Sequence, residues 1–453
     1  RHLVYRDQHD VFGMDAGRMS RLDADFSPAM LGPNATAENY LDLARRRSTS
    51  LTEHHPINSG ADETRINTVV GPQGIYPQPD TGDREIDKQL SAMWWRIAEG
   101  CDPSRTMDIV ESQWEAVAEY ARVGEWLAHY PVAPAFNGFE AGPAIEMIDT
   151  DRLPLTDAFS MYARKAPNGN IIRQSVEVDS YGRVVAYHVL KEHPSDNAVF
   201  GHPTETIRIP ATQARLAIRR GKYRPGRLRG VPWAVAVMGT VRMEDSFQEA
   251  GLVAAKTAAC VSVFATQTAG APGQTTPGSA FTDADGQSLK TIRPGLLGWF
   301  RGSGEIKVVG GNLPGPQFES AIGVQHRRVA AGLSMSASVL SRDYSKATFS
   351  ATRAESLEDR KTWRSVQKMV WLHHTAPFYH ASVDWEKLSG RLVLTPEQVA
   401  RIERGEINLH GVKAVCPGWE WVNPQQEATA GETSLRSGTV SYTHLRAHET
   451  IAL

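Results

Sequence analysis

The chain is poor in the features that mark several large functional classes. Its three cysteines, Cys101, Cys260 and Cys416, share no CxxC spacing. That suits free thiols in a reducing compartment, not a disulfide framework. No apolar run approaches the ~20 residues that a membrane helix needs. The formal net charge is −2, so any nucleic-acid site must be local rather than global. No phosphate-cradling GxxxxGK[ST] loop occurs, since Gly221-Lys222 is followed by Tyr223. A GxSxG nucleophile elbow is also missing. The first residues, with Arg1, Arg6 and Asp10 and no apolar stretch, do not read as a signal peptide. A start at Arg rather than Met leads us to expect a fragment.

What is present fits an ordinary folded protein. Of 453 residues, 41% are hydrophobic and 22% charged, enough for a large core and a length prior of about three domains. The C-terminal stretch Val440-Ser441-Tyr442-Thr443-His444-Leu445-Arg446-Ala447-His448-Glu449-Thr450 is similar to the translation of a transposon-end sequencing adaptor. Residues 431–453 are therefore expected to be an artefact, with the natural chain truncated near Ala430. His444 and His448 stand at i, i+4 beside Glu449, but are set aside as a metal pair for that reason.

Periodicity predicts an α+β fold with its helices first. Residues 1–60 read as polar and loop-rich, with one basic helical patch from Leu41 to Arg47. There, Arg45-Arg46-Arg47 suits either a solvated helix end or a binding site. Ile66 to Pro77 reads as a short apolar segment closed by a Gly/Pro turn. Apolar positions at helical spacing, among them Leu90, Met93, Ile97, Trp114, Val117 and Tyr120, predict mostly helix over Ile86 to Leu127. Trp94-Trp95 is a core or subunit-contact feature. From Ala144 to Val189, β-branched runs around the Tyr181-Gly182 turn predict antiparallel strands, with a further strand in Val199 to Ile209. Val235 to Thr266 is the longest predicted helix. Its alanines at 254, 255, 258 and 259 permit close helix–helix approach. Gln267 to Asn312, rich in Gly, Pro, Thr and Ser, predicts a small β/loop module. Phe318, Ile322, Val329 and Leu333 make the apolar stripe of the next helix. A further helix is expected over Ala351 to His374, ended or kinked by Pro377. A short one over Leu394 to Ile402 is announced by Thr395-Pro396-Glu397.

Two segments are candidates for binding. The first runs from Arg208 to Arg229 and holds Arg208, Arg215, Arg219, Arg220, Lys222, Arg224, Arg227 and Arg229 with no acid between them. Such density can hold phosphates through counterion release. It equally suits a basic subunit interface or a solvated face. The second is the hydroxyl-rich stretch Arg342 to Ser350, with Tyr344, Ser345, Lys346, Thr348 and Ser350, set between two predicted helices; alone it reads as an ordinary surface loop. Adjacent His373 and His374 point to different helix faces and, with His380, have no carboxylate partner at ligand spacing. Asp283-Ala284-Asp285-Gly286 starts like a calcium loop, yet places Pro294 where the closing Glu belongs.

Taken in order, the motifs resemble lambda-type portal proteins of tailed bacteriophages. Arg342 to Ala354 is similar to the family's "DYS…(S)xxRA" signature. Arg224 to Trp233 resembles "RPGQxRGxPW", with Arg227 in place of the usual Gln. Thr68 to Gly71 is similar to a "VVG" segment, Glu99 to Asp102 to a "CD" helix start, and Ile148 to Arg152 to "iepDRl". Val176 to Tyr187 resembles "GVExDxxGRxvAY", Ala254 to Cys260 "raKxAAc", and Trp419 to Pro424 "WxWvDP". Departures are Ser334-Met335-Ser336, where the family often has "GvP", and Asn423 for Asp. The resemblance covers roughly residues 40–430, and its ordered recurrence makes it specific.

The resemblance implies a portal fold: a helical wing, two stem helices, a small α/β clip and a long wing helix. Residues 1–234 would be the N-terminal arm and wing, 235–266 and 316–341 the stem helices, and 267–315 the clip. Residues 342–350 would be the tunnel loop, and 351–430 the long wing helix with a truncated C-terminal region. It implies a homo-oligomeric ring, expected to be dodecameric, acting as a channel for double-stranded DNA without sequence specificity. Its implied partners are the terminase large subunit, the major capsid protein and the head–tail connector protein. It implies no enzymatic activity, no cofactor, no metal and no membrane. The expected location is the portal vertex of the virion, reached from the host cytoplasm. Tyr344, Ser345, Lys346, Thr348 and Ser350 would line the channel. Arg215, Arg219, Arg220, Lys222, Arg224, Arg227 and Arg229 would contact phosphates or neighbouring subunits. Two other classes compete: a metal-dependent DNA-processing enzyme, and a monomeric nucleic-acid-binding protein acting through the arginine stripe.

Overall fold

The computed structural model describes residues 31–155, 164–196, 205–220, 224–259, 263–267, 297–301, 316–345 and 347–419, with isolated positions between 429 and 437. Within them the mixture of helix and antiparallel sheet matches the α+β expectation.

Helices α1 (Pro33–His54) and α2 (Pro56–Val69) open the described chain, each with proline in its first turn. The expectation of a loop-rich start is corrected here. Polar composition hid α1 because its buried stripe is Ala37, Leu41, Arg45 and Ser48, half of it polar. The spacing is helical, and Arg45 finds internal partners in Glu125 and the Gly230 carbonyl instead of water. Strand β1 (Tyr76–Pro79) follows. Helix α3 (Arg84–Ala98) starts at Asp83, whose carboxylate accepts the N–H groups of Glu85 and Ile86. Helix α4 (Ile109–Val123) starts with a capping box between Asp108 and Glu111. Trp94 is buried in the core and Trp95 is exposed.

Gly124 ends α4 with φ +87°, and its backbone lies directly against Val231. A Cβ at Gly124 would sit 2.0 Å from the Val231 carbonyl oxygen. Gly124→Ala is therefore expected to cost more than about 2 kcal/mol in urea unfolding, from left-handed strain plus collision. Gly138, with a similar φ of +83° and nothing within 4 Å of its Cβ site, is the control. Alanine there should cost only about 1 kcal/mol. Equal losses at both sites would refute the close-approach argument.

Strands β2 (Glu125–His129), β5 (Glu146–Ile148) and β11 (Ala214–Ile218) form a three-stranded sheet ordered β11-β2-β5. A short hairpin, β3 (Val132–Ala133) and β4 (Gly142–Pro143), projects between β2 and β5. Strands β6 (Arg164–Lys165), β7 (Ile171–Arg173), β8 (Val176–Val178), β9 (Val184–Leu190) and β10 (Thr206–Pro210) form an antiparallel meander. The two sheets share a small core containing Leu127, Ile148, Val176, Tyr187, Val189 and Ile209.

Helix α5 (Met238–Ala259) is shorter than expected: residues 263–267 form β12 (Val263–Gln267), parallel to β13 (Leu297–Arg301). The run Val263-Phe264-Ala265-Thr266 favours a pleated surface over a continued helix. Helix α6 (Pro316–Leu333) packs on α5, with Phe247 stacked on Phe318 at 4.9 Å and Gly251 leaving room beneath that ring. Glu244 of α5, itself buried, lies 2.8 Å from His326 of α6.

The short helix α7 (Ala337–Ser341) leads through a loop into α8 (Phe349–Val370). The helix then widens into a π turn over Trp371–Thr375 and continues as α9 (Ala376–Leu388). Pro377 thus neither ends nor simply kinks it. A proline frees the carbonyl four residues back. That carbonyl is His373, which accepts the Tyr130 hydroxyl at 2.9 Å. Helix α10 (Pro396–Glu403) carries a capping box between Thr395 and Gln398, and β14 (Val412–Val415) returns to pair antiparallel with β1.

The main core joins all of these helices. Trp126, Tyr120, Trp233 and Trp363 form a chain of ring contacts at 5.8, 5.3 and 6.4 Å. Trp233, at the end of the RGVPW turn, is therefore the hub between the strand-bearing half and α8.

Candidate nucleic-acid interface

The arginine segment is continuous in sequence but divided in space. Arg208 on β10 stays exposed at the surface of the meander, where the buried Glu177 takes its guanidinium at 2.8 and 3.1 Å. Asn168, Asn170 and His188 also bind Glu177. The Arg208 hydrogen bonds, with those of the asparagines and His188, overcome burial and hold this carboxyl far below its usual range. Arg219 lays its guanidinium over Trp233, 4.9 Å from the ring centre. Arg227 is half-buried.

Arg229 is fully buried and does not face solvent at all. Its guanidinium bonds Glu125 and the carbonyls of Leu153, Gln174 and Thr150. Arg45 of α1 reaches the same carboxylate at 2.6 Å, and the Gly230 N–H donates to it at 2.5 Å. Burial alone would raise the Glu125 pKa; the two guanidiniums outweigh it and hold the carboxyl ionised. This corrects two expectations. Arg45 is no solvated helix end, and Arg229 cannot reach an external phosphate. Both are consumed in tying α1 and the RGVPW turn to β2.

Besides the paired Arg208, the exposed arginines of the segment are Arg215, Arg220 and Arg224. Arg215 and Arg224 each donate one bond to a nearby carbonyl, of Ala211 and Leu31, and stay exposed. Lys222 lies outside the described residues.

The second candidate segment is a short exposed loop. Arg342 takes φ +54°, which stops α7. Asp343 accepts the Ser345 N–H at 3.0 Å, a local turn typical of aspartate. Tyr344 is half exposed. The expected boundary shifts by two residues. Thr348 is the N-cap of α8, accepting the Ala351 N–H, and Ser350 already lies in the first helical turn. Their hydroxyls serve the helix start, while Tyr344 and Ser345 remain in the loop proper. Lys346 lies outside the described residues, as do most of 267–312, the Asp283–Pro294 stretch and almost all of 420–453. The loop's base is fixed by polar clasps. Ser336 donates its N–H and hydroxyl to Asp359 at 3.1 and 2.7 Å, and the Ser338 hydroxyl donates to Glu355.

The histidines do not converge. His374 is buried against Ser112, while His380 stacks near His410. Among the described residues, Asp149, Asp151 and His193 bring ligand atoms within 4.8 Å of one another. His193 Nδ1 already accepts the Ser195 N–H at 3.2 Å, and its Nε2 lies 4.0 Å from Asp151. Arg122 also sits 3.6 Å from Asp149. That environment favours ion pairing over metal ligation.

Among the described residues, the picture is a helical scaffold that displays a short exposed loop and a few outward arginines, with Arg45 and Arg229 paired internally. Such an arrangement suits a structural protein that touches a polyanion. The family description "Phage portal protein, lambda family" matches residues 19–367, from ahead of α1 to near the end of α8. The chain belongs to that family. It is also 24% identical over 417 residues to a protein named "Probable portal protein" from Halomonas phage phiHAP-1, covering 86% of this chain and 76% of that relative.

Proposed function

We propose that this chain is a portal subunit: copies assemble into a ring at one capsid vertex, and DNA passes through the ring during packaging and ejection. The observation that carries this reading is family membership across α1 to α8, together with an exposed hydroxyl-rich loop held between α7 and α8. In a closed ring, one side chain per subunit becomes a belt of identical groups around the axis. Tyr344, Ser345 and Lys346 would then face the duplex, with Lys346 supplying a ring of positive charge against the phosphates. Contacts of this kind position a backbone without reading bases.

Residues 235–259 and 316–341 would be the stem, and the segment between them the clip. The clip would dock the terminase large subunit and later the head–tail connector, while the outer surface would meet the major capsid protein. Arg215, Arg220 and Arg224 suit either a neighbouring subunit's acids or phosphate, and would act at the protein's surface in both cases. The reading asks for no covalent chemistry by this chain and assigns ATP hydrolysis to the motor. Its place would be the portal vertex of the virion.

Lys346→Glu tests the loop assignment. Ring formation should be unchanged, while packaged or retained DNA should fall strongly, because a repulsive belt replaces an attractive one. Loss of ring assembly with this variant would show that the loop serves subunit contact instead.

A further inference from the structure

A cavity of about 280 Å³ opens at the base of the α7–α8 loop, between α2, α7, α8 and Trp419. Its α8 wall is a single helical face, on which Glu355, Asp359 and Trp363 follow at one-turn steps. Tyr344 of the loop closes one side.

The lining is rich in acceptors. The donors bound to Glu355 and Asp359 are the neutral groups of Ser338 and Ser336. Among the described residues, neither carboxylate forms an ion pair. Burial outweighs the two Ser336 hydrogen bonds and, with Glu355 and Glu358 nearby, raises the Asp359 pKa. Arg360, the lining's cation, lies over the Trp419 ring at 5.8 Å, and Arg364 lies 5.6 Å from the same ring.

Two half-buried acids that form no ion pair among the described residues, in a space walled by Tyr344, Trp363 and Trp419, select the ligand class. Anions are repelled. A bare metal ion would find two carboxylates in a space many times the ~30 Å³ share of one water. An organic cation satisfies both requirements, because its N–H groups can reach carboxylates while its carbon chain meets aromatic faces. We propose that this cavity binds a small primary alkylammonium ion, with its N–H groups on Glu355 and Asp359 and its methylenes against Trp363, Trp419 and Tyr344. The binding claim stands on the cavity alone. Only its consequence, that occupancy steadies Tyr344 within a DNA channel, rests on the portal reading.

The test is isothermal titration of the full chain with 1,4-diaminobutane and butylammonium chloride, with 1-butanol as the uncharged control. The expected result is one saturable site per chain for both amines and no heat of binding for the alcohol. Glu355→Gln and Asp359→Asn should each weaken binding by about tenfold or more, since each removes a charge-assisted contact. Asp359 also clasps α7, so circular dichroism must show that its variant is folded. If it is not, Glu355→Gln, which keeps an acceptor for Ser338, decides alone. Unsaturable binding, or equal affinity in the folded variants, would mean surface charge only and would overturn the site. Neither result depends on whether the chain forms rings, so failure here and failure of the portal reading are distinguishable.

Discussion

Glu125→Ala is expected to destabilise the chain by about 3–5 kcal/mol, the largest loss from any single side chain considered. The substitution leaves Arg45 and Arg229 buried beside each other without a counter-charge, and strips the Gly230 N–H of its acceptor. Typical domains hold only about 5–15 kcal/mol in total, so the variant should unfold at much lower urea or fail to accumulate. The partners should rank. Arg229→Met removes a cation and also orphans the carbonyls of Leu153, Gln174 and Thr150. Arg45→Met leaves the pair Glu125–Arg229 neutral and should cost less. Added salt should change little, because screening reaches exposed charges far more than buried ones. Urea unfolding of the three variants checks the order. A loss below about 1 kcal/mol for Glu125→Ala would show that water or relaxation compensates the arginines.

The second large effect is acid sensitivity through His374. Its ring is fully buried, and burial lowers its pKa from 6.5 to about 3. The folded chain therefore keeps His374 neutral, while the unfolded chain takes up a proton below about pH 6.5. The sign follows: this contribution is complete above pH 6.5 and is lost progressively as pH falls towards 3. One proton gives a slope of about 1.4 kcal/mol per pH unit. His373 and His380 are also lowered, burial being the main cause for each, so they add to the same window. His374→Gln, which can still bond Ser112, should remove one proton's worth of slope between about pH 6 and 4.5. Carboxylates such as Glu177 lose their contribution only below that range. An unchanged slope in the variant would place the proton uptake elsewhere.

How much of this was legible in the sequence depends on the distance over which each residue acts. The start of α10 and the strands of the meander were readable, because Thr395-Pro396-Glu397, or Val176 to Val189, act on their neighbours. The apolar stripe Phe318–Leu333 gave α6 for the same reason. Helix α1 was legible only over Leu41 to Arg47, because two of its buried positions are Arg45 and Ser48. Arg45's partner Glu125 lies 80 residues away, and nothing local marks it. The π turn also escaped, since it depends on Tyr130 supplying a hydroxyl to a carbonyl 243 residues distant. In the candidate interface, density of arginine was visible but direction was not. Arg208, Arg219 and Arg229 each meet a tertiary partner, Arg208 while still exposed, whereas Arg215, Arg220 and Arg224 point outwards. The one local hint was the Gly230-Val231-Pro232-Trp233 turn beside Arg229, rigid and apolar enough to bury an adjoining side chain. The loop was legible as a loop, while its cavity was not, because Glu355, Ser336 and Trp419 meet only after folding.

The most direct measurement of the central claim is the mass and shape of purified residues 1–430, by native mass spectrometry with negative-stain imaging. The account predicts closed rings of about a dozen subunits with a central hole. A monomer that cleaves duplex DNA with a divalent metal would contradict it and put a DNA-processing enzyme in its place.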